Sequence, residues 1–432
     1  MSENAEQTDI LFTPLTINKV TLANRIVMAP MAALSPRLDG HPSEQTIAFL
    51  SERAKGGVGL IILGGSAATR RSWGEKPVKT GIRFDDDRFV PDLKRVTDAV
   101  HAHGTPIFAE LMPGMGAMAK PSAAWPLIAA SPKNIVIGRE RLPKGMFSPA
   151  DRVTGTPREA TVEEIRRLTQ EMAESAVRAQ RAGFDGVEVP AMMNYFLTSF
   201  LSPRTNWRTD EYGGSVENRA RVLADIVRLI REKVGPSFPI GLRITANEHV
   251  DGGQGPEGFA DIARHVEPEG LDYVALTDGN YESMHFNISD TDTPTVAHGE
   301  AKIFREALSC PVIIGSIHGP ENAAQAISEG HGDAVMLARQ LLADPDYANK
   351  ARNGRSQDII RCDHHNHCML RLALDFPVRC TVNPRTGRES RQPGSLPPVG
   401  RLVKSPIEKA VLTAAGSERF INLLGKFAKK QS

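Results

Sequence analysis

The sequence predicts an α/β protein organised as a (β/α)8 TIM barrel, followed by a cysteine-rich metal-binding extension and a helical tail. Short β-branched runs alternate eight times with stretches of helical periodicity, the pattern of parallel strands joined by helices. Most of these runs are apolar throughout, as strands buried on both faces are. A Gly-x-Gly-x-x-Gly phosphate loop is missing after the first run, which argues against an open dinucleotide-binding sheet.

In chain order, residues 1–10 read as a flexible N-terminus and 11–347 as the barrel. Strands are expected at 25–31 (RIVMAPM), 59–65 (GLIILGG), 106–111 (PIFAEL), 186–191 (GVEVPA), 239–245 (PIGLRIT), 273–278 (YVALTD), 311–317 (PVIIGSI) and 334–337 (AVML). Each is followed by a plausible helix. The clearest starts at Thr161, where Thr161 and Glu164 form a capping box, each side chain satisfying a free backbone N–H of the other. Ile165, Leu168, Met172, Ala176 and Ala179 then share one face, with Arg166, Arg167, Glu171 and Glu174 off it. Two long connections, 113–158 and 194–214, follow strand C-terminal ends, where barrels build their sites. Residues 348–391 form a Cys/His-rich segment, and 392–432 a linker and tail. In the tail Ser417 reads as a cap and Phe420, Leu424 and Phe427 as one face, with Lys426, Lys429 and Lys430 near its C-terminus.

Composition narrows the class. A hydrophobic content of 41% supports a large core, and a net charge of +1 gives no reason to expect nucleic acid or a membrane surface. The opening MSENAEQTDI has no apolar core of a signal peptide, and no uncharged apolar run approaches a membrane span. With few cysteines, a cytoplasmic location is expected.

Three of the four cysteines fall within 19 residues, in the spacing Cys362-x2-His365-x2-Cys368-x11-Cys380. Three thiols and one imidazole suit an iron–sulfur cluster or zinc, and the segment also reads as a remnant without metal. Cys310, before the seventh strand, reads as a buried core thiol.

The run YFLTSFLSPRTNWRTDEYGGSVENRAR (195–221), with LFTPLTI and LANRIVMAPM near the start, resembles the old yellow enzyme family of FMN-dependent oxidoreductases. Gly315-Ser316-Ile317 and Leu337-Ala338-Arg339 onward look like that family's phosphate-binding end, and the resemblance covers roughly 10–390. The cysteine segment is similar to the branch of 2,4-dienoyl-CoA reductase, 2-enoate reductase and trimethylamine dehydrogenase, whose [4Fe–4S] site has a cysteine where this chain has His365. The resemblance implies bound FMN. Ala29, Pro30, Met31 and Ala32 would line its ring, Glu110 would face the pyrimidine edge, and Arg243 would sit near N1 and C2=O. Gly315, Ser316, Ala338 and Arg339 would hold the phosphate.

The same resemblance implies that Tyr195 protonates a carbon after hydride transfer. His285 is a further candidate for the substrate side. The residues where the family binds a substrate carbonyl are Pro190 and Met193 here, and neither donates a hydrogen bond. Met112, Met115, Met118, Met146, Met192 and Met193 read as a pliant apolar pocket or as core. The expected activity is ene reduction of an α,β-unsaturated carbonyl or thioester. The alternatives are amine dehydrogenation and a non-catalytic flavin-binding subunit. Relatives with the cluster continue into FAD/NAD(P) domains, whereas only about 50 residues follow Cys380, so electrons are expected from NAD(P)H or a separate donor protein. The Arg-rich run 352–391 and the tail helix are candidate docking surfaces for such a protein, or a barrel-closing or homo-oligomer face.

Overall fold

The computed structural model describes residues 8–75, 81–120, 122–292, 294–315, 317–391, 406–418 and 420–421. All eight expected runs become strands: β1 (Ile26–Met28), β2 (Leu60–Leu63), β3 (Ile107–Glu110), β4 (Gly186–Ala191), β5 (Ile240–Thr245), β6 (Tyr273–Thr277), β7 (Val312–Ile314) and β8 (Ala334–Leu337). They close one parallel barrel in sequence order, β8 pairing with β1. Register places Glu188 beside Glu110 on one side and beside Gly241 on the other, two residues short of Arg243, whose side chain closes the gap.

The strand residues divide between two cores, which is why they read as unbroken apolar runs. Alternate side chains (Val27, Leu60, Ile62, Phe108, Tyr273, Ile313, Met336) fill the barrel interior. The others pack outward against the helices. Ile17 and Leu22, on a hairpin of Leu15–Ile17 with Val20–Leu22, join the interior core and cap its lower end.

The surrounding helices are α1 (Glu44–Lys55), α2 (Val90–His101), α3 (Val162–Arg181), α4 (Val216–Val234), α5 (Pro256–Val266), α6 (Glu300–Ala307) and α7 (Pro320–Ser328). Helix α3 begins with the Thr161/Glu164 capping box and buries Ile165, Leu168, Met172, Ala176 and Ala179. Burying one such side chain is worth roughly 1.5–3 kcal/mol, several times its helix propensity, so the stripe rather than the propensity fixes α3 on the barrel. After β8 the last unit is broken into α8 (Arg339–Ala343) and α9 (Tyr347–Arg352), and the cysteine segment adds α10 (His367–Ala373).

Several expectations change. The chain is ordered earlier than residue 11: Asp9–Phe12 forms a 3-10 turn with Leu11 fully buried. The 113–158 connection is not a plain loop. Ile128–Ala129 pairs with Arg158–Glu159, and Val136–Ile137 with Arg152–Val153. Cys310 is only half-buried. The Arg-rich run is not uniformly a surface, because Arg371 is buried and donates to the Pro377 carbonyl at 2.6 Å. The tail forms α11 (Pro406–Ala415), which packs on α10 with Leu412 buried. Ser417 caps a following turn by accepting from the Phe420 N–H at 3.4 Å, and Phe420 itself is exposed. The linker at 392–399, Leu424, Phe427, Lys426, Lys429 and Lys430 lie outside the described residues.

Candidate active site

A cavity of about 290 Å³ opens at the C-terminal ends of the barrel strands. The exits of β1, β4, β5, β6, β7 and β8 all reach it, so residues far apart in sequence meet there. It gathers Ala29, Pro30, Met31 and Ala32 from β1, Arg243 from β5, Gly315 after β7, and Ala338 and Arg339 after β8. Tyr195 lines the same cavity, and so does Cys368. Ser316 lies outside the described residues.

Arg243 forms the floor. Its Nε donates to Glu188 Oε1 at 2.7 Å and lies 3.4 Å from Glu110 Oε2, while Nη2 lies 2.9 Å from Met336 Sδ. Burial opposes its charge, but Glu188 and Glu110 outweigh burial and hold the guanidinium cationic, above its usual value. One cation therefore faces two buried carboxyls. Glu188 takes the closer contact and also accepts from the Tyr273 hydroxyl at 3.0 Å. Glu110 is left with the remainder: burial, partly offset by Arg243 and reinforced by Glu188, pushes its carboxyl up to about 8. Its Oε2 is buried with no hydrogen-bond partner.

The exit of β4 is sharply turned. Met193 and Asn194 both take positive φ, 61° and 57°, a conformation that non-glycine residues hold only when their surroundings enforce it. Asn194 Oδ1 accepts the Tyr281 N–H at 2.9 Å, tying this turn to the loop after β6. The turn aims Tyr195 at Tyr281, hydroxyl to hydroxyl at 2.9 Å, with ring centroids 5.8 Å apart. Burial first, then Tyr281 and Glu110, hold the Tyr195 phenol well above its ordinary value, so it keeps its proton at neutral pH.

His285 does not reach the cavity; its ring faces the Arg141 carbonyl at 3.3 Å. Met192 and Met193 line the cavity as expected, whereas Met112, Met115, Met118 and Met146 do not. Sequence reading passed over Glu188, His318 and Thr295, and in the loop after β6 it pointed to His285 where the structure places Tyr281 at the cavity. Glu188 carried a signal, as a lone charge inside the apolar run GVEVPA. His318 lines the cavity beyond Gly315 and bonds Asp292 Oδ1 at 2.7 Å. Burial works against the Asp292 charge, but His318, Asn322 and the Gly319 N–H hold it down to about 2. The Thr295 hydroxyl is buried on the cavity wall without a partner, leaving a polar group open to an occupant.

The three clustered thiols come together and His365 does not join them. Cys362, Cys368 and Cys380 lie within one another's electrostatic reach, beside Arg339. Burial pushes Cys368 up to about 11, with Arg339 pulling the other way. The His365 side chain is 68% exposed and its Nδ1 sits 3.0 Å from Asp363 Oδ2. His364 and Asn366, on either side, both have φ of 53°, and this double left-handed turn swings the intervening ring outward. Among the described residues, three thiols thus lie near Arg339 while the His365 ring is turned away from them.

A charged floor, an apolar ledge at β1 and a neutral phenol share one cavity at the C-terminal face of a TIM barrel, where such folds carry their active sites. The chain belongs to the NADH:flavin oxidoreductase / NADH oxidase family, whose model matches residues 10–358. It is 33% identical over 419 residues to an NADH oxidase of Thermoanaerobacter brockii, covering 94% of this chain and 59% of that protein. It is 32% identical over 407 residues to a cinnamate reductase of Clostridium sporogenes, covering 89% of this chain and 59% of that one. Among solved structures, a 2-naphthoyl-CoA reductase complex superposes with a TM-score of 0.77 at 28% identity, over 89% of this chain and 58% of that one. The chain thus spans under two thirds of the length of these relatives.

The residues present fit the family's FMN. Arg243 brings a fixed cation to the cavity wall, which suits the polar edge of a flavin ring, and the buried Glu110 Oε2 beside it has no hydrogen-bond partner. Gly64 supplies room: a Cβ there would stand 2.5 Å from the Met31 backbone nitrogen, so the ledge at 29–32 has its shape only against glycine. A four-ligand [4Fe–4S] cluster is not matched in the same way, because the fourth position is turned to solvent.

Proposed function

We propose that this chain is an FMN-dependent ene reductase that saturates the C=C bond of an α,β-unsaturated carbonyl compound or thioester. The Tyr195–Tyr281 hydroxyl pair, inside the cavity that Arg243 and the 29–32 ledge share, is the observation that carries this reading. FMN, when bound in its reduced form, would supply the hydride that the substrate's β-carbon needs. Tyr195 holds the proton for the α-carbon at its phenolic oxygen, and Tyr281 stands behind it to pass in the replacement. Arg243 would face the flavin's polar edge, with Glu110 beside it, the cation favouring the charge that would gather there on reduction. Gly315, Ala338, Arg339 and His318 line the end assigned to the phosphate. Met31, Met192, Met193 and Met284 give the cavity an apolar wall that excludes water yet adapts in shape.

A nicotinamide as reductant is supported by the likeness to the Thermoanaerobacter NADH oxidase. Among the described residues, no helix is long and apolar enough to cross a membrane.

The test is Tyr195→Phe in flavin-loaded protein. The variant is expected to keep its FMN and its reduction by NAD(P)H, while reoxidation by a 2-enoyl thioester or cinnamate slows about 10²–10⁴-fold, the usual contribution of a positioned general acid. Unchanged reoxidation would remove Tyr195 from the reaction. An amine that reduces the oxidised flavin, with no reoxidation by enoates, would reverse the direction proposed.

A further inference from the structure

Beside the cavity, four ligand-type side chains converge that the proposed reaction does not use. His249 follows β5, Asp278 follows β6, His298 ends the segment before α6, and Glu300 is the first residue of α6. His249 Nε2 lies 2.7 Å from Asp278 Oδ1 and 3.7 Å from Glu300 Oε1. His298 Nδ1 lies 4.0 Å from Asp278 Oδ2 and 3.9 Å from Glu300 Oε1. Ligand atoms of His249, His298 and Glu300 all fall within 4.8 Å of one another. From this geometry we infer that the four residues form a binding site for a divalent transition-metal ion of the Zn²⁺ class.

Charge points the same way. Asp278 and Glu300 are 4% and 2% exposed, and each keeps one buried oxygen, Oδ2 and Oε2, with no hydrogen-bond partner. Among the described residues their ion-pair partners are the two histidines, with no lysine or arginine. Buried carboxylates in this state are normally paired or bound to metal. Two neutral imidazoles, two carboxylates and one divalent cation make a neutral set. Nitrogen and oxygen donors together suit Zn²⁺ and its neighbours better than Mg²⁺ or Ca²⁺, which prefer all-oxygen shells.

The distances also suit. Zinc bonds of about 2.0–2.2 Å put tetrahedral ligands roughly 3.3–3.6 Å apart, and the observed separations fall on both sides of that range. The surroundings hold the ligands in place. Phe286 stacks on the His249 ring at 3.8 Å and 7°. Asn247 Nδ2 donates to Glu300 Oε1 at 3.2 Å, and the Gly279 N–H donates to Asp278 Oδ1 at 3.0 Å. Backbone at His249 is in the left-handed region, φ 50°, a strained setting that such sites commonly carry. The ion would clamp two connections at the barrel mouth, the β5 exit loop and the β6–α6 segment. The second runs from Asp278, itself on the cavity wall, through Tyr281.

Equilibrium dialysis of flavin-loaded protein against Zn²⁺, followed by metal analysis, tests the site. Wild type is expected to hold one saturable equivalent that His298→Ala and Glu300→Gln lack and Cys368→Ser retains. X-ray absorption at the zinc edge of Cys368→Ser should then show nitrogen and oxygen neighbours without sulfur. The His298 side chain is 44% exposed, so His298→Ala should fold normally, as its flavin content and melting midpoint would report. Equal zinc in wild type and a folded His298→Ala protein, or uptake that never saturates, overturns the inference.

Discussion

Replacing Glu110 by Gln isolates the electrostatics of the barrel floor. Glu110 shares one guanidinium with Glu188, and burial holds its proton up to about 8, against an ordinary value of 4.5. The folded chain therefore keeps a proton that the unfolded chain releases between these limits. Stability must fall as pH rises through that window, because the folded state binds more protons there. The slope is about 1.4 kcal/mol per pH unit, so the full shift of Glu110 from 4.5 to about 8 removes on the order of 5 kcal/mol, with the larger part gone by pH 7. Glutamine cannot titrate and leaves Arg243 with Glu188 alone. In urea unfolding of flavin-free protein, Glu110→Gln should match wild type near pH 4.5. It should then gain steadily over wild type with rising pH and level off above pH 8. A stability difference independent of pH would show that Glu110 is already ionised beside Glu188, and would refute the account of the floor.

Other outcomes follow from the same geometry. Gly64→Ala, whose Cβ would meet the Pro30 and Met31 backbone within 2.7 Å, should displace the ledge and lower FMN content in purified protein, with the barrel still folded by circular dichroism. His365→Cys should complete a four-cysteine set. Anaerobic iron and sulfide analysis should then find near four irons per chain in the variant and clearly fewer in wild type, and a full cluster in wild type would show that His365 turns inward.

The barrel was legible because its strands are buried on both sides, so eight apolar runs stand out against charged helices. The α3 capping box was legible because it is a local contact between residues three apart. The ledge at 29–32, Arg243 and Tyr195 were legible through long family motifs, and the structure brings them to one cavity. What stayed hidden depends on distant pairing or on side-chain direction. Glu188 and Glu110 meet only through strand register. Tyr281 reaches Tyr195 across 86 residues. His249 and Glu300 stand 51 positions apart and have no spacing signature. His365 shows the converse, since a spacing that suits a ligand set does not report that two left-handed neighbours turn the ring to solvent.

The most direct test of the central claim is an anaerobic reoxidation. Flavin-loaded wild-type protein is reduced with one equivalent of NADH or NADPH and mixed with cinnamate or a 2-enoyl thioester. Return of the oxidised flavin absorbance, with one saturated product formed per flavin, is the predicted result. A flavin that stays reduced in the presence of every such acceptor would contradict it.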